Sequence, residues 1–268
     1  MKLCVVNINP ESVSGSYTEL LTKNFNRVKR EDTVVGWKYV KHLKRATDTI
    51  LSYAIHLNKT EIIECFYEAA QEGYDGAMVA CSGDPGVSEA QDILDIPVVG
   101  PMEAACHVAC MYGHKFGIVT VLERRWSEYC EHLTVRHGLH SRLSGIERIS
   151  IPSKEAFTKG FLDPEWVGKE IREKSRKLVE NGANSVVIGS AGMSTMASVI
   201  NLSTVAEYDA PIFDCLSVGL KMLELRVDLQ KRLGIPPVSR TGTHELIQKE
   251  DVIRLRTLFG LEKGTTKH

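Results

Sequence analysis

A tandem repeat is the feature that most limits what this chain can become. KLCVVNI at 2–8 is answered by KFGIVTV at 115–121, and GAMVACSG at 76–83 by SVVIGSAG at 185–192. The spacing is kept as well: residue 2 to residue 81 is 79 positions, and residue 115 to residue 190 is 75. Each second run is followed by small polar residues, a helix-like stretch, and then Asp-x-Pro with apolar neighbours, Asp95-Ile96-Pro97 in one copy and Asp209-Ala210-Pro211 in the other. Superposing the copies sets Cys81 against Ser190 and Asn7 against Thr120.

The repeated runs are short, apolar and bounded by turn residues, which predicts buried strands at 3–8, 76–81, 116–122 and 185–190, with further strands at 95–100 and 209–214. Helical stretches lie between them, including 59–73 and 164–182, which stop at Gly73 and Gly182. Strands alternating with helices imply βαβ units and parallel sheets. The expected fold is therefore α/β: two pseudo-symmetric Rossmann-like lobes, with the active site in the cleft between them. We expect 1–114 with 215–268 to form the first lobe and 115–214 the second. The segment 215–233 reads as a helix crossing back onto the first lobe, PPVSRTGTH as a loop, and 249–259 as a short helix before a frayed tail.

With 43% hydrophobic residues among 268, the chain can build a substantial core. Its 33 Lys and Arg against 34 acidic residues create no global field for nucleic acid, so a small molecule is the expected partner. No apolar run reaches membrane-spanning length, and MKLCVVNINP is too short in apolar residues for a signal peptide, which predicts a cytoplasmic protein without a membrane partner. Seven cysteines, an odd number without scaffold spacing, suit a reducing compartment. A homo-oligomer is expected, though no heptad fixes its symmetry.

Open parallel sheets bind ligands beyond the carboxyl ends of their strands, so Cys81 and Ser190 should approach one cleft from opposite sides. Cys81 opens CSGDPG, where glycines permit tight turns and backbone N–H groups can face an anion. A helix starting near Ser88 would further favour the thiolate, making a low-pKa cysteine the functional reading and a small core residue the structural one. Ser190 lies between Gly189 and Gly192; a lone hydroxyl is a poor base, so it is expected to hydrogen-bond or merely to turn the chain. Asn9 can bind a carbonyl or simply stop a strand before Pro10, and Thr120, which ends the equivalent strand of the second copy, is expected to contact the substrate. Cys106 and Cys110 have helical spacing but no second ligand pair, so no metal is expected. His137 and His140 read as exposed loop residues, and Arg124 and Arg125 as surface residues able to meet an anion. The absence of G-x-G-x-x-G and of a phosphate loop argues against a nucleotide cofactor.

INP at 8–10, CSGDPG at 81–86, DIPVVG with EAA at 103–105, FGIVT at 116–120 and GSAGM at 189–193 together resemble the aspartate/glutamate/hydantoin racemase superfamily, most closely its hydantoin and allantoin racemases. The resemblance implies a cofactor-independent two-base reaction. One cysteine removes the Cα proton from one face, and a second group returns a proton to the other. It makes Cys81 the first of these, and it implies that the amides of Ser82, Gly83, Ala191 and Gly192 stabilise the enolate-like charge. The family pattern has cysteine, in GCAGM, where this chain has Ser190. A racemase of a 5-substituted hydantoin with Ser190 in place of the second cysteine is the leading expectation, an inactivating substitution being one reading of that serine. A one-thiol isomerase or decarboxylase, an aspartate or glutamate racemase, and a non-catalytic small-molecule binder remain open.

Overall fold

The computed structural model of the chain describes residues 1–261, and the tail expected to fray lies at 262–268, outside the described residues. Two sheets form. The first has strands β1 (Lys2–Asn7), β2 (Val34–Tyr39), β3 (Gly76–Val79) and β4 (Val98–Val99) in the order β2-β1-β3-β4, all parallel. The second has β5 (Phe116–Thr120), β6 (Leu143–Arg148), β7 (Ser185–Ile188), β8 (Thr204–Val205) and β9 (Ala210–Asp214), ordered β6-β5-β7-β9-β8. Its first four strands run parallel in the same order as the first sheet, and the two-residue β8 adds an antiparallel edge. The tandem repeat is thus a repeat of topology: Leu3 pairs with Gly76 in one sheet as Phe116 pairs with Ser185 in the other.

The central strands β1, β3, β5 and β7 are buried almost throughout, which is why they appear in the sequence as near-continuous apolar runs. β2 and β6 were not anticipated. Both are sheet edges of intermediate burial, VVGWKY and LSGIER, where half-exposure admits Lys, Glu and Gly and dilutes the apolar signal. Helices fill the connections close to the expected places: Ser52–Gln71, Pro164–Glu180, Cys215–Leu233 and Lys249–Leu258. Gly73 and Gly182 follow two of these with φ of +73° and +97°, a left-handed turn that a side chain would strain.

The buried apolar residues form one continuous core that includes both sheets. Helix Cys215–Leu233 lies against β3, β4 and helix Pro101–Tyr112. The approach is close enough that a Cβ on Gly76 would stand 2.8 Å from Leu223 and 2.9 Å from Val227. Asp214 starts this helix by accepting the N–H groups of Leu216 and Ser217. The two lobes are also joined by hydrogen bonds from helix Glu11–Val28 to helix Ala191–Val199: Asn24 Nδ2 donates to Thr195 O at 3.0 Å, and Arg27 to Ser198 Oγ at 2.7 Å. Among the described residues no helix is long and apolar enough to cross a membrane.

Candidate active site

The carboxyl ends of both sheets open onto one cavity of about 590 Å³, a size suited to a small organic molecule. Ile8 and Asn9 reach it from beyond β1, Ala80, Cys81 and Ser82 from beyond β3, Val121 from beyond β5, and Ser190, Ala191 and Gly192 from beyond β7. Cys81 and Ser190 each stand two residues past the end of their strand, at 6% and 4% exposure. The repeat therefore delivers its two aligned residues to a shared chamber.

The Cys81 thiol differs from the low-pKa group expected. Burial, set against the N–H of Gly83 at 3.4 Å and reinforced by the nearby Asp84 carboxylate, pushes it up to about 12. The helix expected to favour a thiolate starts at Val87, with Gly86 as its cap, and the backbone N–H that meets the Cys81 sulfur is that of Gly83. One amide cannot replace the water lost on burial.

Ser190 caps helix Ala191–Val199: its backbone is extended (φ −152°, ψ 123°), and its hydroxyl accepts the Met193 N–H at 3.5 Å. The hydroxyl thus hydrogen-bonds within its own turn, and Ser at such a position is a favoured N-cap. The N–H groups of Ala191 and Gly192, at the first two helical positions, have no carbonyl of their own helix to bond, and both residues line the cavity. N–H groups at a helix start favour negative charge placed beside them.

Other expected residues are distributed less simply. Asn9 lines the cavity, but its Nδ2 donates to the Leu43 carbonyl and its N–H to Asn7 Oδ1 at 3.1 Å, so the side chain also straps the 43–50 segment over the site. Ser82 lines the cavity, whereas Gly83 sits behind Cys81 against Trp126 and Tyr129. Thr120, anticipated as a ligand, does not line the cavity. It is fully buried, and its hydroxyl donates to the Gly189 carbonyl at 2.8 Å. His140 and Arg125 are exposed and Arg124 pairs with Glu128, none of them at the cavity. Cys106 is buried and Cys110 half-buried on helix Pro101–Tyr112. His137, expected in solvent, keeps only 13% of its side chain exposed, with Nδ1 3.6 Å from Glu103 and Nε2 4.0 Å from Asp84. Burial moves its pKa down.

Several site features were not legible beforehand. Tyr17, Phe157 and Phe161 build an aromatic wall with adjacent centroids 5.9 and 6.2 Å apart, and the i, i+4 spacing of the two phenylalanines was its only hint. Lys44, Arg45 and Lys154 stand at the exposed margin of the cavity, while no Asp or Glu among the described residues lines it. Asp84, in the left-handed region at φ +48°, accepts the N–H groups of Met102 and Glu103 at 3.0 and 2.8 Å. It thereby ties the Cys81 loop to the start of helix Pro101–Tyr112. Burial raises its carboxyl to about 7 against these two N–H donors.

Comparison with known proteins agrees with this fold. The family described as Asp/Glu/Hydantoin racemase matches residues 5–223. A hydantoin racemase of Pseudomonas sp. (strain NS671) is 30% identical over 220 residues, covering 80% of this chain and 81% of the relative. The solved allantoin racemase from Klebsiella pneumoniae superposes with a TM-score of 0.76 at 26% identity, over 93% of this chain and 94% of that one. That from Pseudomonas fluorescens shares the fold with a TM-score of 0.75 at 20% identity, over 92% and 97%. The chain belongs to the Asp/Glu/Hydantoin racemase family.

Proposed function

We propose that this protein has the framework of a cofactor-independent racemase of a 5-substituted hydantoin or a related cyclic ureide, with Cys81 exchanging the proton on Cα and Ser190 in the place of the second acid–base group. The observation that carries the proposal is the meeting of Cys81 with the free N–H groups of Ala191 and Gly192 in one cavity whose wall is aromatic. Cys81 as thiolate takes the Cα proton and becomes the thiol. The electron pair moves onto the adjacent carbonyl as an enolate. The helix N-terminus, with Ser82 opposite, supplies N–H groups to the developing oxyanion. The Tyr17, Phe157 and Phe161 rings accept an apolar ring substituent. Ser190 occupies the second acid–base position as a hydroxyl. Without a stronger base beside it, it is suited to hold its helix and bind substrate rather than to return a proton.

Incubating the protein and its Ser190→Cys variant with each enantiomer of 5-benzylhydantoin in D₂O separates the steps. Deuteration of one enantiomer without inversion, and inversion by Ser190→Cys, supports the reading. Absence of exchange by either version, with Cys81 still open to alkylation, refutes the hydantoin assignment. A second reading, an aspartate or glutamate racemase, is favoured by Lys44, Arg45 and Lys154 at the margin of a cavity lined by no carboxylate among the described residues. The same D₂O assay with aspartate and glutamate decides between them.

A further inference from the structure

Helix Arg124–Arg136 touches the backbone beside both aligned residues. It carries Trp126 and Tyr129 one turn apart, with rings stacked at 5.3 Å and 27°. Trp126 Nε1 donates to the Gly189 carbonyl at 2.8 Å, in the peptide that leads into Ser190. Tyr129 Oη donates to the Gly83 carbonyl at 3.1 Å, two residues past Cys81. The contacts are close on both sides. A Cβ on Gly83 would stand 3.0 Å from Trp126 and 3.3 Å from Tyr129, and one on Gly189 would stand 3.2 Å from the Cys130 sulfur of the same helix.

The Gly189 carbonyl also accepts from Thr120 Oγ1 at 2.8 Å and from Cys130 Sγ at 3.6 Å. An oxygen held from three side chains has little freedom to rotate, so the peptide plane entering Ser190 is fixed. Trp126 is only 5% exposed, which limits competition from water for its N–H. A single turn of the second lobe thus grips the Cys81 loop of the first lobe and the Ser190 strand end of its own.

We infer that Trp126 and Tyr129 are positioning residues: their stacked rings and two hydrogen bonds hold the Cys81 loop and the Ser190 peptide at one separation, and thereby set the spacing of the groups on the two faces of the reacting carbon. The inference rests on the proposed placing of Cys81 and Ser190 about that carbon. Its stacked core predicts a shared effect: once either strap is cut, the other no longer transmits the separation.

Trp126→Phe and Tyr129→Phe remove one donor each and leave the rings. The experiment measures kcat and KM for 5-benzylhydantoin exchange in both variants and in the double variant. Thermal midpoints, and Cys81 alkylation by iodoacetamide resolved by peptide mass spectrometry, are read on the same samples. Misplacement of reacting groups acts on turnover, so kcat should fall about tenfold or more in each single variant while KM stays within about twofold. The double variant should lose no more than the worse single one, and Tyr129→Phe should change the alkylation rate of Cys81 severalfold. Unchanged kcat in folded single variants, multiplying losses, or losses that follow the folded fraction would each overturn the inference. If the wild-type protein does not exchange the hydantoin, the proposed substrate fails separately, and the alkylation rates still decide: identical rates in wild type and Tyr129→Phe refute the brace.

Discussion

Cys81 sets a pH dependence that can be measured without any substrate. Its thiol is pushed up to about 12 from an ordinary 9.0, first by burial, with the Gly83 N–H partly opposing and the Asp84 carboxylate adding to the rise. Three units correspond to about 4 kcal/mol of extra cost for forming the thiolate in this site rather than in water. At pH 8 the thiolate is then on the order of one molecule in ten thousand, against about one in ten for an exposed cysteine. Alkylation of Cys81 by iodoacetamide, a neutral reagent, should therefore be slow and rise about tenfold per pH unit from pH 7 to 10 without a plateau. The half-buried Cys110 is the main competitor, and mass spectrometry of the labelled peptides separates the two. A plateau at or below pH 9 would refute the reasoning, because it would mean that backbone N–H groups around the loop offset the lost hydration. If the linear rise is found, the reactive thiolate forms only at the cost of a proton transfer that the bound substrate must help to drive.

Two further outcomes follow from the same surroundings. Asp84 binds its proton more tightly folded than unfolded, about 7 against 3.8, so its contribution to stability is present below pH 4 and lost as the pH rises through 7, on the order of 4 kcal/mol in all. His137, with its pKa lowered, works in the opposite sense below pH 6.5. Urea unfolding at pH 5, 6 and 7 should show the loss in wild type and not in Asp84→Asn, and parallel curves for the two proteins would contradict the assignment. Gly192→Ala places a methyl 2.6 Å from the Phe157 ring and should push that ring into the cavity. We expect a cost of about 1–3 kcal/mol in stability and a fall in kcat/KM for 5-benzylhydantoin, measured by melting and by initial rates; unchanged kinetics would show that Phe157 yields freely.

What the sequence determined by itself was the plan of the molecule. Buried parallel strands have no solvent-facing side to diversify, so β1, β3, β5 and β7 survive as apolar runs, and their recurrence predicts two sheets of like order with Cys81 and Ser190 at matching ends. The edges β2 and β6, half in solvent, carry mixed residues and could not be read in this way. What tertiary structure decided was the surroundings of each group. Cys81 was expected to be acidic from the glycines beside it, yet its ionisation is governed by desolvation and by Asp84, neither of which local spacing measures. His137 reads as a loop residue at a helix end, but Asp84 and Glu103, more than thirty positions away, come to lie beside it. Thr120 ends a strand as expected, and only the packing of β7 and helix Arg124–Arg136 turns its hydroxyl to Gly189 rather than to a ligand. Periodicity is a property of neighbours along the chain and can be read from the order of residues. Burial, proton affinity and the aim of a hydroxyl depend on neighbours in space, and those exist only once the two lobes have closed on each other.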